Sequence, residues 1–273
     1  MPPAKPLFIL GIGAQKCGTT WLHSYLSKAP HVDMGCAKEY HVWDALYGPE
    51  PLHWYRQDRV DDATARTALR WAMQTVEGAY EAYFKSLVTG RTTTTGDITP
   101  TYCALDNNAF LRIKARLEAA GFDVKVVFLM RDPVERCWSV LRKRAVTKRA
   151  NGIPFSDAHL IDEFARLYAS PNFDIRTRYD RTLTALDAAF DPKDVYVGLY
   201  EEMFDAEPLT ALSEFLAVPV IPDLAQVRIH ASPTAPLPAA LRDACVAHYA
   251  PTYAYCHERF AKTRTLWSAP VAD

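Results

Sequence analysis

The stretch GIGAQKCGTTW, Gly11 to Trp21, joins an apolar run, LFILG (7–11), to a segment with helical spacing at 20–28. Glycines, a lysine and two threonines at a strand-to-helix turn gather free backbone N–H groups and the positive helix end at one point, an arrangement that binds phosphate or sulfate. Gly13 and Gly18 have the separation found in the phosphate loop G-x-x-x-x-G-K-[ST], but that loop carries its lysine after the second glycine. Here Lys16 precedes Gly18, and Thr19 follows it directly. Lys16 adds a full charge, and Thr19 and Thr20 add hydroxyl donors. Trp21 offers either an aromatic face for a base or a core side chain in the first helical turn.

Outward from this loop, VKVVFLM (124–130) and VYVGLY (195–200) are short β-branched runs, and TTTTGDI (92–98) is a further strand candidate. Buried parallel strands read as continuous apolar runs, so helical crossovers account for the longer stretches between them. Apolar positions three and four apart predict helices at 20–28, 106–119, 133–149, 178–190, 207–217 and, at the C-terminus, 238–260. The fold class is α/β, a doubly wound parallel sheet flanked by helices on both faces, read as one domain over 1–273. The aromatic-rich region 45–90 has no convincing strand and reads as a helical insertion covering one sheet edge. VTKRANGIPFSD (146–157) reads as a basic loop, and SAPVAD (268–273) as a frayed tail.

Thirty-one Lys plus Arg against thirty-two Asp plus Glu leave a net charge of −1, so no whole-molecule field draws the chain toward nucleic acid or an anionic membrane. Any anion site is therefore local. The six cysteines form no C-x-x-C pair and no zinc-type spacing with histidine, which suits scattered free thiols in a reducing, cytoplasmic setting. The N-terminal apolar run is only about eight residues, too short for a membrane span, and neither export signal nor anchor is evident. No acidic cluster calls for a metal. Nothing in the sequence sets the oligomeric state.

Together the motifs resemble the sulfotransferases that use 3′-phosphoadenosine 5′-phosphosulfate (PAPS). QKCGTTW is similar to their 5′-phosphosulfate loop P-K-x-G-T-T-W, with Gln15 in place of the proline. The resemblance puts Lys16, Cys17, Gly18, Thr19, Thr20 and Trp21 against the donor. In VVFLMRDPVERCWSVLRKR, Arg131 and Ser139 have the spacing of the strand-end arginine and helical serine that hold the 3′-phosphate in this family. A fixed guanidinium fork at a rigid strand end recognises phosphate through paired charge-assisted hydrogen bonds. KEYHVWD (38–44) resembles K-E-x-H-x-F-D of the branch that sulfates carbohydrate hydroxyls or amines. Carried over, Glu39 is the general base, Lys38 a cation near the transferring group, and His41 and Asp44 are supports; if the segment is helical, Glu39 and His41 point to different faces. GDITPTY (96–102) resembles E-x-[ST]-P-x-Y, with Asp97, Thr99, Pro100 and Tyr102 in place.

The resemblance implies sulfuryl transfer from PAPS to a carbohydrate or small-molecule acceptor, leaving 3′-phosphoadenosine 5′-phosphate (PAP), with no metal. Ile98 stands where the heparan-type enzymes have lysine, which argues against a heparan-like acceptor. The family's closing lysine-glycine loop has no clear counterpart in RIHASPTAPLP (228–238), where Arg228 or His230 is a substitute. A P-loop kinase or ATPase is the rival reading; it needs a strand-end aspartate for magnesium, and Asp132 stands there, though Pro133 after it favours a helix N-cap. A noncatalytic nucleotide-binding protein is the other rival, opposed by the presence of both Lys16 and Glu39. The basic run RKRAVTKR (142–149) continues a helix without an aromatic platform, so nucleic-acid binding is not expected.

Overall fold

A computed structural model of the chain describes residues 5–56, 64–225 and 236–267. Strands β1 (Leu7–Gly13), β2 (Val32–Asp33), β3 (Thr94–Ile98), β4 (Asp123–Met130) and β5 (Val195–Leu199) form a sheet in the order β2-β3-β1-β4-β5. Every neighbouring pair is parallel. The expected strands at 7–11, 92–98, 124–130 and 195–200 are all present. β2 is an addition of two residues at the sheet edge, too short to leave an apolar run in the sequence.

Helices α1 (Thr19–Leu26), α2 (Trp43–Tyr47), α3 (Ala65–Thr75), α4 (Ala79–Leu87) and α5 (Asn107–Ala119) precede β4. Between β4 and β5 lie α6 (Pro133–Ala150), α7 (Asp157–Leu167), α8 (Pro171–Thr177) and α9 (Tyr179–Ala189). After β5 come α10 (Ala206–Phe215), α11 (Pro222–Ala225), α12 (Ala239–His248), α13 (Ala250–Arg259) and α14 (Thr263–Leu266). Successive residues of a strand face opposite sides, and Ile9 with Leu10, and Val126 with Val127, are fully buried, so helices cover both faces. Burying each such side chain is worth about 1.5–3 kcal/mol, and the central strands therefore anchor the framework.

Two expectations change, and α7 is an addition. The helix expected over 238–260 is broken into α12 and α13, with Pro251 in the first turn of the second; proline has no N–H to continue the preceding ladder. The loop expected at 146–157 is helical to Ala150, because α6 continues through the basic run. α7 begins at Ser156 through a reciprocal cap in which His159 takes the place usually held by Glu or Gln, which hid the helix start.

Among the described residues, 45–90 is helical as expected, and two of its aromatics, Tyr80 and Phe84, are core while Tyr47, Tyr55, Trp71 and Tyr83 are part-buried. Tyr80 and Phe84 are fully buried, and the Phe84 ring meets Phe8 of β1 edge-on at 5.0 Å. They close the core rather than offer a stacking face. RIHASPTAPLP falls mostly, and SAPVAD wholly, outside the described residues, Arg228 and His230 included. Among the described residues no helix is long and apolar enough to cross a membrane.

Candidate active site

The carboxyl ends of β1, β3, β4 and β5 open on one side of the sheet, where open parallel sheets place ligands. A cleft of about 200 Å³ lies there, its walls including Lys16, Thr19, Lys38, Glu39, Arg131 and Ser139. Gly18, Thr20 and Trp21 complete the loop side.

The loop after β1 is shaped for close approach. Gly18 caps α1 with φ 93°, and a Cβ there would sit 2.5 Å from Met203 Sδ, so only glycine fits without strain. The cap has no side-chain acceptor, and Leu22 is the first residue whose N–H finds a backbone acceptor in α1, the Gly18 carbonyl at 3.0 Å. Among the described residues, the N–H groups of Thr19, Thr20 and Trp21 have no backbone acceptor, and they sit with the positive helix end beside the cleft that these residues line. Lys16 has φ 72° and meets no carboxylate among the described residues. Its ammonium pKa is lowered, first by burial and then by the charges of Lys143, Arg131 and Arg142. That local excess of positive charge is of the sign that an anion would relieve.

Of the loop residues, Cys17 is not part of the cleft wall, and Trp21 reaches it only in part. Cys17 is fully buried, its thiol points toward Tyr179 Oη at 3.7 Å, and burial pushes the thiol up to about 12. Its N–H already donates to the Ala14 carbonyl at 3.2 Å. Trp21 is 3 % exposed, donates Nε1–H to the Leu224 carbonyl at 2.9 Å and stacks on Tyr25, so most of its ring is core and only an edge reaches the cleft.

Across the cleft, Arg131 leaves β4 with its guanidinium 4.5 Å above the Tyr200 ring and 3.6 Å from Glu135. Ser139, on α6, is buried at the cleft wall. A second cleft of about 240 Å³ shares Arg131, Tyr200 and Phe204 with the first. Tyr200 and Phe204 were missed from sequence. Tyr200 ends a strand candidate, and the rule that ligands sit at strand carboxyl ends would have found it. Asp132 accepts from the Glu135 N–H at 3.1 Å and the Tyr253 hydroxyl at 3.0 Å, the N-cap role expected.

The segment 38–42 is not helical. Glu39 (φ 66°) and His41 (φ 55°) are both left-handed, each costing roughly 1–2 kcal/mol for a residue with a Cβ. This corrects the expectation of different faces: His41 Nε2 lies 3.6 Å from Glu39 Oε2. Asp44, fully buried, holds His41 Nδ1 at 2.7 Å and accepts from Thr101. Lys38 pairs with the other Glu39 oxygen. Burial alone would raise the Glu39 carboxyl, but His41 and Lys38 outweigh it and bring it down to about 2. Burial likewise works against the His41 imidazolium, yet Asp44 and Glu39 leave its pKa raised. His41 itself is 6 % exposed, behind Glu39 rather than in the cleft.

Asp97 is also fully buried and accepts from Tyr102 (2.7 Å), Thr99 (2.7 Å) and Tyr80 (3.1 Å). The Tyr102 hydroxyl in turn accepts the Val42 N–H at 3.2 Å. Asp97 thus ties β3 to the base segment from inside the core.

The family model described as "Sulfotransferase family" matches residues 6–221. The chain belongs to the sulfotransferase family. Sulfuryl transfer is therefore its reaction class. Its fold is similar to that of a sulfotransferase from Alicyclobacillus acidocaldarius, at 22 % identity and TM-score 0.61, over 94 % of this chain and 96 % of that one. The sulfotransferase domain of the Synechococcus PCC 7002 olefin synthase is a more distant likeness, at 17 % identity and TM-score 0.46, over 93 % and 97 % of the two chains. A comparison with curated proteins finds no match. Among the described residues, no three His, Cys, Asp or Glu side chains gather as a metal site.

Proposed function

We propose that this sulfotransferase takes the sulfuryl group from PAPS and delivers it to a hydroxyl or amine of a carbohydrate or small-molecule acceptor, releasing PAP, in a cytoplasmic setting and without a metal. The observation that carries this reading is the convergence of Lys16, Arg131, Ser139 and Glu39, from three separate motifs, on one cleft.

Each residue has a role set by its chemistry. Lys16 and the N–H groups at the start of α1 act where negative charge grows on the leaving 5′-phosphate. Arg131 and Ser139 hold the 3′-phosphate, and Tyr200 and Phe204 wall the nucleoside. The sulfur–oxygen bond to the 5′-phosphate breaks as a bond to the acceptor oxygen or nitrogen forms, and the acceptor proton passes to Glu39. Alignment and charge stabilisation supply most of the acceleration, as in phosphoryl transfer.

A carboxyl held near 2 is a weak base. Its depression depends in part on Lys38, so a donor sulfate that draws Lys38 away would leave Glu39 more basic when the acceptor is in place. His41, itself held by Asp44, keeps the carboxylate aimed. The kinase reading loses its second support, because Asp132 is committed to capping α6. The helical insertion at 45–90, which borders the base segment, is the proposed acceptor side of a single domain.

The test is transfer of label from ³⁵S-PAPS to a panel of sugars, phenols, amines and lipids in the presence of a chelator. Labelled product from one acceptor class supports the reading; retention of label by PAPS with every class, or a magnesium requirement, contradicts it.

A further inference from the structure

Two left-handed residues two positions apart do not hold themselves in place. The Glu39 N–H donates to the Ile98 carbonyl at 3.2 Å, which fixes one end of the segment to β3. The remaining grip comes from α3, which no sequence motif marks. Arg70 donates from Nη2 to the Glu39 carbonyl at 3.0 Å and from Nε to the Tyr40 carbonyl at 2.8 Å. Gln74 donates from Nε2 to the His41 carbonyl at 2.6 Å and to the Tyr55 carbonyl at 3.1 Å. Three consecutive carbonyls of the base segment are thus held by side chains four apart on one helix face.

The grip is specific in its chemistry. Arg70 meets no carboxylate among the described residues, so its fork serves geometry rather than an ion pair. α3 contributes a single buried apolar side chain, Met73, with Leu69 packed part-buried against the core, so the Arg70 and Gln74 contacts add to a small apolar seat. Tyr55, whose carbonyl Gln74 also holds, stacks its ring on His41 at 3.7 Å and 12°. The insertion therefore touches both the backbone and the ring of the base segment.

We propose that Arg70 and Gln74 are positioning residues: through the carbonyls of Glu39, Tyr40 and His41 they hold the segment so that the Glu39 carboxylate faces His41 and Lys38 at the cleft. The role in turnover rests on Glu39 as the base of sulfuryl transfer; the role in geometry does not. Groups facing Glu39 are Lys38 and His41 in its own segment, His23 of α1, Asp44 of α2 through His41, and the Arg70 guanidinium of α3. Without the α3 grip, His41 and Lys38 lose their register with the carboxylate. Lys16, Arg131 and Ser139 lie on other elements and keep theirs.

The experiment uses the full chain with Arg70→Ala, Gln74→Ala and the conservative Arg70→Lys, following the Glu39 side-chain carboxyl by ¹³C NMR titration without ligand, PAP affinity by calorimetry and turnover with ³⁵S-PAPS. Arg70→Ala is expected to move the Glu39 midpoint upward from about 2 toward the ordinary value of about 4.3. Turnover is expected to fall by about 10–100-fold with PAP affinity within about twofold, and Arg70→Lys to recover part of both effects. A Glu39 titration unchanged in both Arg70→Ala and Gln74→Ala overturns the proposal. So does a loss of PAP affinity equal to the loss of turnover, which marks general damage. A wild-type chain that transfers no label, while the Glu39 midpoint still moves in Arg70→Ala, refutes the base reading and upholds the positioning.

Discussion

The Glu39 carboxylate and the His41 imidazole face each other across 3.6 Å, Oε2 to Nε2, while Asp44 holds the far nitrogen at 2.7 Å. The arrangement fixes the direction in which Glu39 presents its lone pairs and sets the protonation states of both groups. In the proposed mechanism Glu39 meets the acceptor and His41 aims the carboxylate.

Glu39→Gln keeps the size of the side chain and removes the base. Transfer from PAPS should fall by about 10²–10⁴-fold, with PAP affinity measured by calorimetry almost unchanged. Wild-type turnover in this variant would remove Glu39 from the mechanism.

The Lys16 ammonium is lowered from the ordinary value of 10.5 by burial and by Lys143, Arg131 and Arg142. A lysine so placed loses its proton earlier as pH rises, so kcat/KM for PAPS, which reports the free enzyme, should decline on the alkaline side below that value. The bound donor brings anionic charge, which favours the ammonium, so the alkaline limb of kcat should lie higher. Coincident limbs would mean that Lys16 does not meet the donor.

His41 has a folded pKa raised above its ordinary 6.5 by Asp44 and Glu39, against the opposing effect of burial. A raised histidine contributes stability that is fully present below the unfolded value and is lost as pH rises through the folded one. Urea unfolding should therefore show a larger gap between wild type and His41→Asn at about pH 5.5 than at about pH 8.5. A gap independent of pH would show that the imidazole is not charged in these pairs.

Much of the candidate cleft was legible in the sequence because each motif spans one element or the junction between two. Lys16 and Gly18 share a turn, and Arg131 and Ser139 straddle one strand end and one helix, so spacing alone carries their geometry. The central strands were legible for a related reason: with both faces buried they read as unbroken apolar runs, whereas Val32–Asp33 is too short to do so. Tyr200, Phe204, Arg70 and Gln74 reach the site by tertiary packing from stretches without a motif. The left-handed backbone at Glu39 and His41 was hidden because propensity favours neither residue there; neighbouring elements impose it.

Gly18→Ala tests the loop independently of the base. A left-handed alanine costs roughly 1–2 kcal/mol, and its Cβ would approach Met203 Sδ to 2.5 Å. Thermal melting should drop by about 2–8 °C, and PAP binding should weaken. A variant with wild-type melting and binding would show that the turn tolerates a Cβ.

The most direct measurement is calorimetric binding of PAP, with a chelator present, to wild type and Arg131→Ala, compared with adenosine 5′-phosphate and with ATP plus magnesium. Wild type should bind PAP about 10–100-fold more tightly than adenosine 5′-phosphate, the expected worth of charge-assisted bonds to the 3′-phosphate, and Arg131→Ala should remove most of that difference. Equal affinity for the two nucleotides, or tighter binding of magnesium ATP than of PAP, would contradict the account.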